Sequence, residues 1–553
     1  MTDTRPVTPA DPSPPGEGAR HPRRTRSPRQ RVVAAVALAV VLVAGVVLAT
    51  RGDDAPSEAA PPLATDTPSA SATPPPTPTP VPLPAGVDIR TFGATGDGVT
   101  DDAPAIRRAL AEADAVHVPA GTYLLASYAT PRTTVIPADF VFSLRSGQTI
   151  TADPDAVFVM ADGVVTGSTA EWGGNVFLAD RVAGVTISGL TLDLNGPGNL
   201  VSAGRTITGY GLYTWQAQDI TLRDVTMADT PGQNYVVVQG GGSGIRVLDS
   251  TFRNGGTSIP GNEEQTDFSA MYFTATDVLV DGVTIEHDEQ PFGFSGGVEL
   301  HGSREAVTNS EIRDSWPAVY IGPDTYSDLA VQEDVSVTGN RFLDVGRGVV
   351  FNALGTGDID GVDISRNEFV LAPFEVFAGE PVRGVDQDMP PDGNWTYHHI
   401  ITGMTVSGNT FRGGGEASDG VIRLSQVHSA TISGNRIEDV VGTVFTLESS
   451  PWDTTGVMFS GNDISWAGTG GTPAISLSFD GSSTVPEREA FNARDVTVTG
   501  NRLVLEDPES RSCAVNATWP DAAEVSDVTV HGNDIRSVDH DLCGPRAGAV
   551  DGG

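Results

Sequence analysis

Past residue 180 the chain repeats one eight-position phrase, apolar-x-apolar-x-x-x-x-apolar, often with Gly-Asn before the closing pair. Clear copies run over Val335–Phe342, Met404–Phe411, Ala430–Ile437, Val457–Ile464, Val496–Leu503 and Val528–Ile535, and degenerate copies end at Leu192, Met227, Phe252, Ile285, Ile312 and Phe369. Twelve copies between Leu192 and Ile535 give a mean period of about 31 residues. Alternation inside the phrase turns every second side chain inward, which is strand periodicity. A leucine-rich repeat needs a Leu-dominated phrase, and a propeller blade needs about 40–45 residues. A parallel β-solenoid remains. Asparagine recurs at one turn position (340, 367, 409, 435, 462, 501 and 533), where it suits a left-handed backbone and can stack as a hydrogen-bonded ladder.

Ahead of the repeats, Ala103–Ala113 reads as an amphipathic helix, with Asp101 or Asp102 at its N-cap and Pro104 in its first turn. It would cap the wet end of the solenoid, and Val116–Leu125 would start the first coil. Further upstream, residues 1–31 form a basic, Pro- and Ser-rich tail with seven Arg against three acids. Residues 32–50 hold an 18-residue uncharged run, long enough to cross a bilayer. The flanking charge predicts a single-pass anchor at the cell membrane with the C-terminal domain extracellular; secretion after signal cleavage is the alternative. Residues 51–86, with 11 prolines, read as a stalk, 87–543 as the solenoid and 544–553 as a tail.

Composition narrows the chemistry. Of 553 residues, 64 are Gly and 39 Pro, while only 19% are charged, which argues for turns and strands over a helical bundle. All 33 basic residues are Arg, so lysine Schiff-base and P-loop chemistry are excluded. A formal charge of −38 repels nucleic acid and disfavours a polyanionic substrate unless Ca²⁺ bridges it. No zinc motif or twelve-residue Ca²⁺ loop is present, and no cofactor is called for. The two cysteines, Cys513 and Cys543, can staple one end of an exported domain.

The run FGATGDGVTDDAPAIRRAL followed by VHVPAGTYLL resembles the N-terminus of the pectate-lyase-like right-handed parallel β-helix superfamily, which includes polygalacturonases, rhamnogalacturonases, uronan epimerases and phage tailspikes. The resemblance implies that fold over roughly residues 87–543 and a polysaccharide partner. The polygalacturonase motifs are mostly not matched. Asp267 falls on that family's first catalytic aspartate, but its paired aspartates, histidine and Arg-x-Lys positions are occupied by Ser295-Gly296, Trp316-Pro317-Ala318 and Val350-Phe351-Asn352.

A second strand precedes the phrase in each coil, and stacking these strands sets Tyr213, Trp215, Gln239, Tyr272, Glu299, His301, Tyr320, Asn352, Arg423 and Glu448 outward on one face. Flat rings beside polar groups suit a sugar groove. Tyr213, Trp215, Tyr272, Trp316, Tyr320, Asn352 and Arg423 are therefore candidates to bind substrate. Glu299 is the candidate acid or base, with Asp267 or Asp288 as its partner carboxylate and His301 supporting it. Hydrolysis of a polysaccharide is the leading expectation; a lyase, a uronan epimerase and a non-catalytic carbohydrate-binding protein are the alternatives. Trp395–His399, in the longest insertion, could form a lid.

Overall fold

Parallel strands that recur once per repeat can bond to their equivalents one coil above and below, so no backbone donor inside the stack is left unpaired. The computed structural model has this arrangement. It describes residues 83–129, 139–164, 174–200, 208–256, 259, 268–287, 295–323, 329–351, 357–373, 382–387, 400–414, 420–448, 453–468, 472–479, 492–506, 512–521 and 524–550. Among these, the strands form three parallel sheets, a first of 15 strands, a second of 15 and a third of 14. Each coil visits the third sheet, then the first, then the second. Every strand pairs with the strand one coil away, and the chain is an all-β parallel helix.

The repeated phrase is the corner between the first and second sheets. Val335 and Val337 point inward from the strand Val331–Thr338, and Phe342 points inward from Arg341–Val345. Equivalent positions then stack in register. Phe342, Phe369 and Phe411 pair rung to rung, with ring centroids 4.9 and 4.6 Å apart. The asparagines occupy the corner as expected and form a continuous ladder. Asn340 Nδ2 donates to Asn367 Oδ1 at 3.0 Å and to the Val307 carbonyl at 2.8 Å, while Asn340 N–H donates to the same Asn367 oxygen. The pattern repeats through Asn409, Asn435, Asn462 and Asn501 to Asn533. The left-handed residue is not the asparagine, however. It is the residue before it, Gly339 in one coil (φ 69°) and Arg366 in the next (φ 57°). Glycine reaches that region freely, which leaves the asparagine extended enough to aim its amide along the stack.

Three coils precede the first one marked by the phrase, and the first of them holds the strands Val87–Asp88 and Asp97–Asp101. One helix, α1 (Ala103–Glu112), contacts an early strand of each sheet (Ala115–Val118, Gly121–Leu125 and Phe140–Ser143) and buries Ala103, Ala105, Ile106, Ala109 and Leu110. Asp102 is its N-cap residue but makes no side-chain cap. Its buried carboxylate instead accepts from Thr95 N–H, Thr95 Oγ1 and Gly96 N–H, tying the entry loop, while Asp101 accepts the Ala103 amide. At the other end a disulfide joins Cys513 to Cys543 across the last two strands of the third sheet. The longest insertion contains a strand of that sheet, Arg383–Gln387, that the repeat pattern does not mark. Trp395–His399 lies outside the described residues.

Candidate functional site

Parallel pairing in the third sheet places one outward residue per rung in a straight column. The register runs Tyr213, Val237, Tyr272, Glu299, Tyr320, Val350, Asp386, Arg423. Successive rungs are about 4.8 Å apart, so Tyr213 and Arg423 stand roughly 34 Å apart along the stack. The centre of the column is partly open to solvent at Tyr272, Glu299 and Tyr320.

Glu299 and His301 meet at that centre. The strand Ser295–Leu300 holds Glu299 outward, and the chain turns at His301. The imidazole is 1% exposed, whereas the Glu299 side chain is 22% exposed. His301 Nδ1 lies 2.6 Å from the Gly322 carbonyl and Nε2 lies 3.1 Å from Glu299 Oε2. A carbonyl oxygen can only accept, so Nδ1 carries a hydrogen. Nε2 then faces Glu299 Oε2 across the 3.1 Å contact. The Tyr272 ring packs 4.9 Å from the imidazole. The pair thus has a buried end, His301, and a solvent-facing end, Glu299.

The other sequence candidates are distributed as follows. Tyr213 is buried, packed with Phe140, Leu178 and Val237 and stacked on Tyr210. Its hydroxyl donates to Gln239 Oε1 at 3.0 Å, and burial pushes its phenol well above the ordinary value. Tyr213 is therefore part of the groove floor rather than an open platform. Trp215, one strand position further on, is half-buried against the same cluster. Trp316 lies in the corner before Val319–Ile321, not in the outward column; it is buried, with the Arg347 guanidinium 5.1 Å over its ring. Tyr320 sits one rung beyond Glu299. Arg423 pairs with Glu448 at 3.2 Å. Asp267, Asp288 and Asn352 lie outside the described residues.

Three buried polar residues near the column escaped the sequence reading. Asp386 occupies the outward column fully buried, at 2.8 Å from Arg383 and 3.5 Å from Arg347. Its strand lies within the insertion, where no Gly-Asn corner marks the register. Beneath the corner, Glu305 is buried behind His301 (1% exposed) and Gln332 beside it. Among the described residues no group of three or more His, Cys, Asp or Glu side chains could hold a metal ion.

A model of the family described as rhamnogalacturonase A/epimerase, pectate lyase-like, matches residues 86–290. Preneck appendage proteins of Bacillus phages PZA and phi29 are 26% and 25% identical over 344 residues, which is 58% of this chain and 37% of theirs. The chain thus matches little more than a third of the length of those relatives. The tailspike protein of E. coli bacteriophage HK620, solved with a pentasaccharide, superposes with a TM-score of 0.53 at 14% identity, over 83% of this chain and 78% of the tailspike. At that identity the likeness shows the fold alone. The phage relatives overturn the expected localisation at a cell membrane with an extracellular domain: both are bacteriophage appendage proteins. Among the described residues no helix is long and apolar enough to cross a membrane; segment 32–50, which prompted that expectation, lies outside them.

Proposed function

We propose that this chain, a pectate-lyase-like right-handed parallel β-helix, binds a polysaccharide along the outward column of its third sheet and hydrolyses it beside Glu299. The observation that carries the proposal is the 3.1 Å contact between Glu299 Oε2 and the buried His301 Nε2, in the stretch of the column where Tyr272, Glu299 and Tyr320 are all partly open to solvent. Tyr272 and Tyr320 flank Glu299 at one rung on each side and offer ring faces to neighbouring sugars. Glu299 would give its proton to the leaving glycosidic oxygen, and His301 would restore it through Nε2. Arginine paired with carboxylate at Arg423–Glu448 supplies hydroxyl-binding groups four rungs away.

Inversion or retention needs a second carboxylate about 5–9.5 Å from the first. Asp386, three rungs from Glu299, stands about 14 Å away on rung spacing, too far for that part. The partner role therefore falls to Asp267 or Asp288. Glycan binding without cleavage is the second reading, favoured by the tyrosines, rather than carboxylates, on both rungs next to Glu299.

The test is the full-length chain on a panel of neutral and uronic polysaccharides, with reducing ends and unsaturated ultraviolet-absorbing products followed together. Glu299→Gln is expected to lower the reducing-end rate by about 10²–10⁴-fold while retaining the glycan in affinity gels. An ultraviolet signal would replace hydrolysis with lyase chemistry. Retention with no product from the wild-type chain would establish the binding reading instead.

A further inference from the structure

The inward column of the first sheet is apolar from Ile245 to Val528, rung after rung, with a single exception. Between Val278 and Val335 stands Glu305. A carboxyl group in that position is costly, since burial strips its hydration and an apolar side chain would pack there at no such cost. The next rung repeats the anomaly. Gln332, fully buried, heads a column that continues as Ile359, Ile401 and Val427. The first exception falls on the coil that carries Glu299 and His301, the second on the coil next to it.

Their hydrogen bonds converge on the corner 300–302. Glu305 Oε2 accepts the Gly302 N–H at 3.0 Å, and Gln332 Nε2 donates to the same oxygen at 3.2 Å. Gln332 Nε2 also donates to the Leu300 carbonyl at 3.0 Å, an oxygen that receives the Gly322 N–H as well. Between these two anchored residues, His301 N–H bonds to the Phe273 carbonyl and its ring to the Gly322 carbonyl. The corner admits no slack: a Cβ on Gly302 would collide with the Ala275 carbonyl oxygen.

We infer that Glu305 is a positioning residue, which with Gln332 fixes the corner 300–302 so that the His301 imidazole is held between the Gly322 carbonyl and Glu299. The inference rests on the reading of Glu299 and His301 as the working pair. It accounts for a polar intrusion that the solenoid does not need: the same columns are filled by aliphatic side chains in the coils that follow.

A structural role and a positioning role predict opposite pairings of stability and activity. Glu305→Val restores the apolar column but leaves the Gly302 N–H without its acceptor, so the two effects offset and the full-length variant is expected to melt within a few degrees of the wild type. Its kcat is expected to fall at least about tenfold with KM nearly unchanged, and the pH–rate profile to shift. The ¹⁵N resonances of His301, assigned by comparison with His301→Gln, are expected to move from a single Nδ1-protonated tautomer to a mixture. Glu305→Gln keeps an acceptor for Gly302 and should stay within about threefold of wild type. Gln332→Ile, which frees the Leu300 carbonyl from the other side, should act in the same direction as Glu305→Val and serves if that variant does not fold. Wild-type kcat, pH profile and His301 resonances in both Glu305→Val and Gln332→Ile would overturn the inference. If the wild-type chain cleaves nothing, yet the His301 resonances still shift in these variants, the positioning role stands and the cleavage reading falls alone.

Discussion

His287 shows how much a single buried ring can govern here. It is 3% exposed at the end of Thr284–Glu286 and edge-on to Phe268 at 5.6 Å, and among the described residues neither ring nitrogen has a hydrogen-bond partner. Burial alone lowers its pKa from 6.5 to about 4. Below pH 6.5 the unfolded chain binds a proton at this residue, whereas the folded chain does so only near pH 4. The stability gained by keeping the ring neutral is therefore complete above about pH 6.5 and falls as the pH drops toward 4, by roughly 3 kcal/mol at the limit. His287→Phe should remove that slope. Urea denaturation of both proteins at pH 7 and pH 4.5 checks it: the wild type should lose stability relative to the variant at the lower pH, and equal losses would refute the account. Sequence could not expose this residue, because Glu286-His287 looks like the edge of an acidic surface loop until the turn folds it under Phe268. Glu305 was hidden for a related reason. One charged letter in a degenerate repeat reads as outward-facing, and only the register with Val278 and Val335 turns it inward.

Among elements, two ladders run along parts of the solenoid, the asparagines from Asn340 to Asn533 and an ion-pair series from Glu311 to Glu438, and their energetics differ. In the second sheet, Arg341 bridges Glu311 and Glu368, Arg412 bridges Glu368 and Glu438, and Arg436 joins Glu438. These side chains are largely solvated, and exposed pairs contribute about 0–1 kcal/mol each. The asparagine ladder is buried, and each rung satisfies both a neighbouring amide and a backbone carbonyl. Asn435→Ala leaves the Val406 carbonyl and the Asn409 donors unpaired, so it should cost about 3 kcal/mol. Asn533→Ala, at the half-exposed last rung, should cost about 1 kcal/mol, and Arg341→Ala less than that. Denaturant midpoints of the three variants give the order; an Arg341→Ala loss equal to that of Asn435→Ala would reverse it. The corners were readable from the Gly-Asn spacing because a left-handed glycine followed by an amide has few alternatives. The third-sheet strands were readable in most coils from alternation. Arg383–Gln387 was not, since its glycine and charges break the apolar rhythm while Asp386 is neutralised by arginines contributed from two rungs.

At the scale of the whole molecule, each coil touches only its neighbours, so stability accumulates locally. The Cys513–Cys543 bond closes a segment with a sequence separation of 30 at the terminal coil, whose strands Glu524–His531, Asp534–Arg536 and His540–Cys543 are mostly exposed or half-buried. Reduction should raise amide hydrogen exchange over residues 513–550 and leave the coils around Val335 protected. A uniform loss of protection would show instead that the solenoid unfolds as one unit. The pectate-lyase-like fold was legible because the entry motif and the phrase agree over most of the chain. The chemistry was not, since this fold hosts several reactions and the polygalacturonase positions carry other residues.

Rung spacing also makes the third sheet a ruler. Because the corners repeat with the same asparagine geometry, a complete coil can be added or removed between the Glu299 rung and the Arg423 rung without disturbing the packing on either side. Such a change would lengthen or shorten the distance between the reacting centre and the far binding groups by one step of about 4.8 Å, close to the advance of one sugar along an extended chain. If the proposed groove holds a glycan, the length it engages would follow the number of coils and change by whole counts.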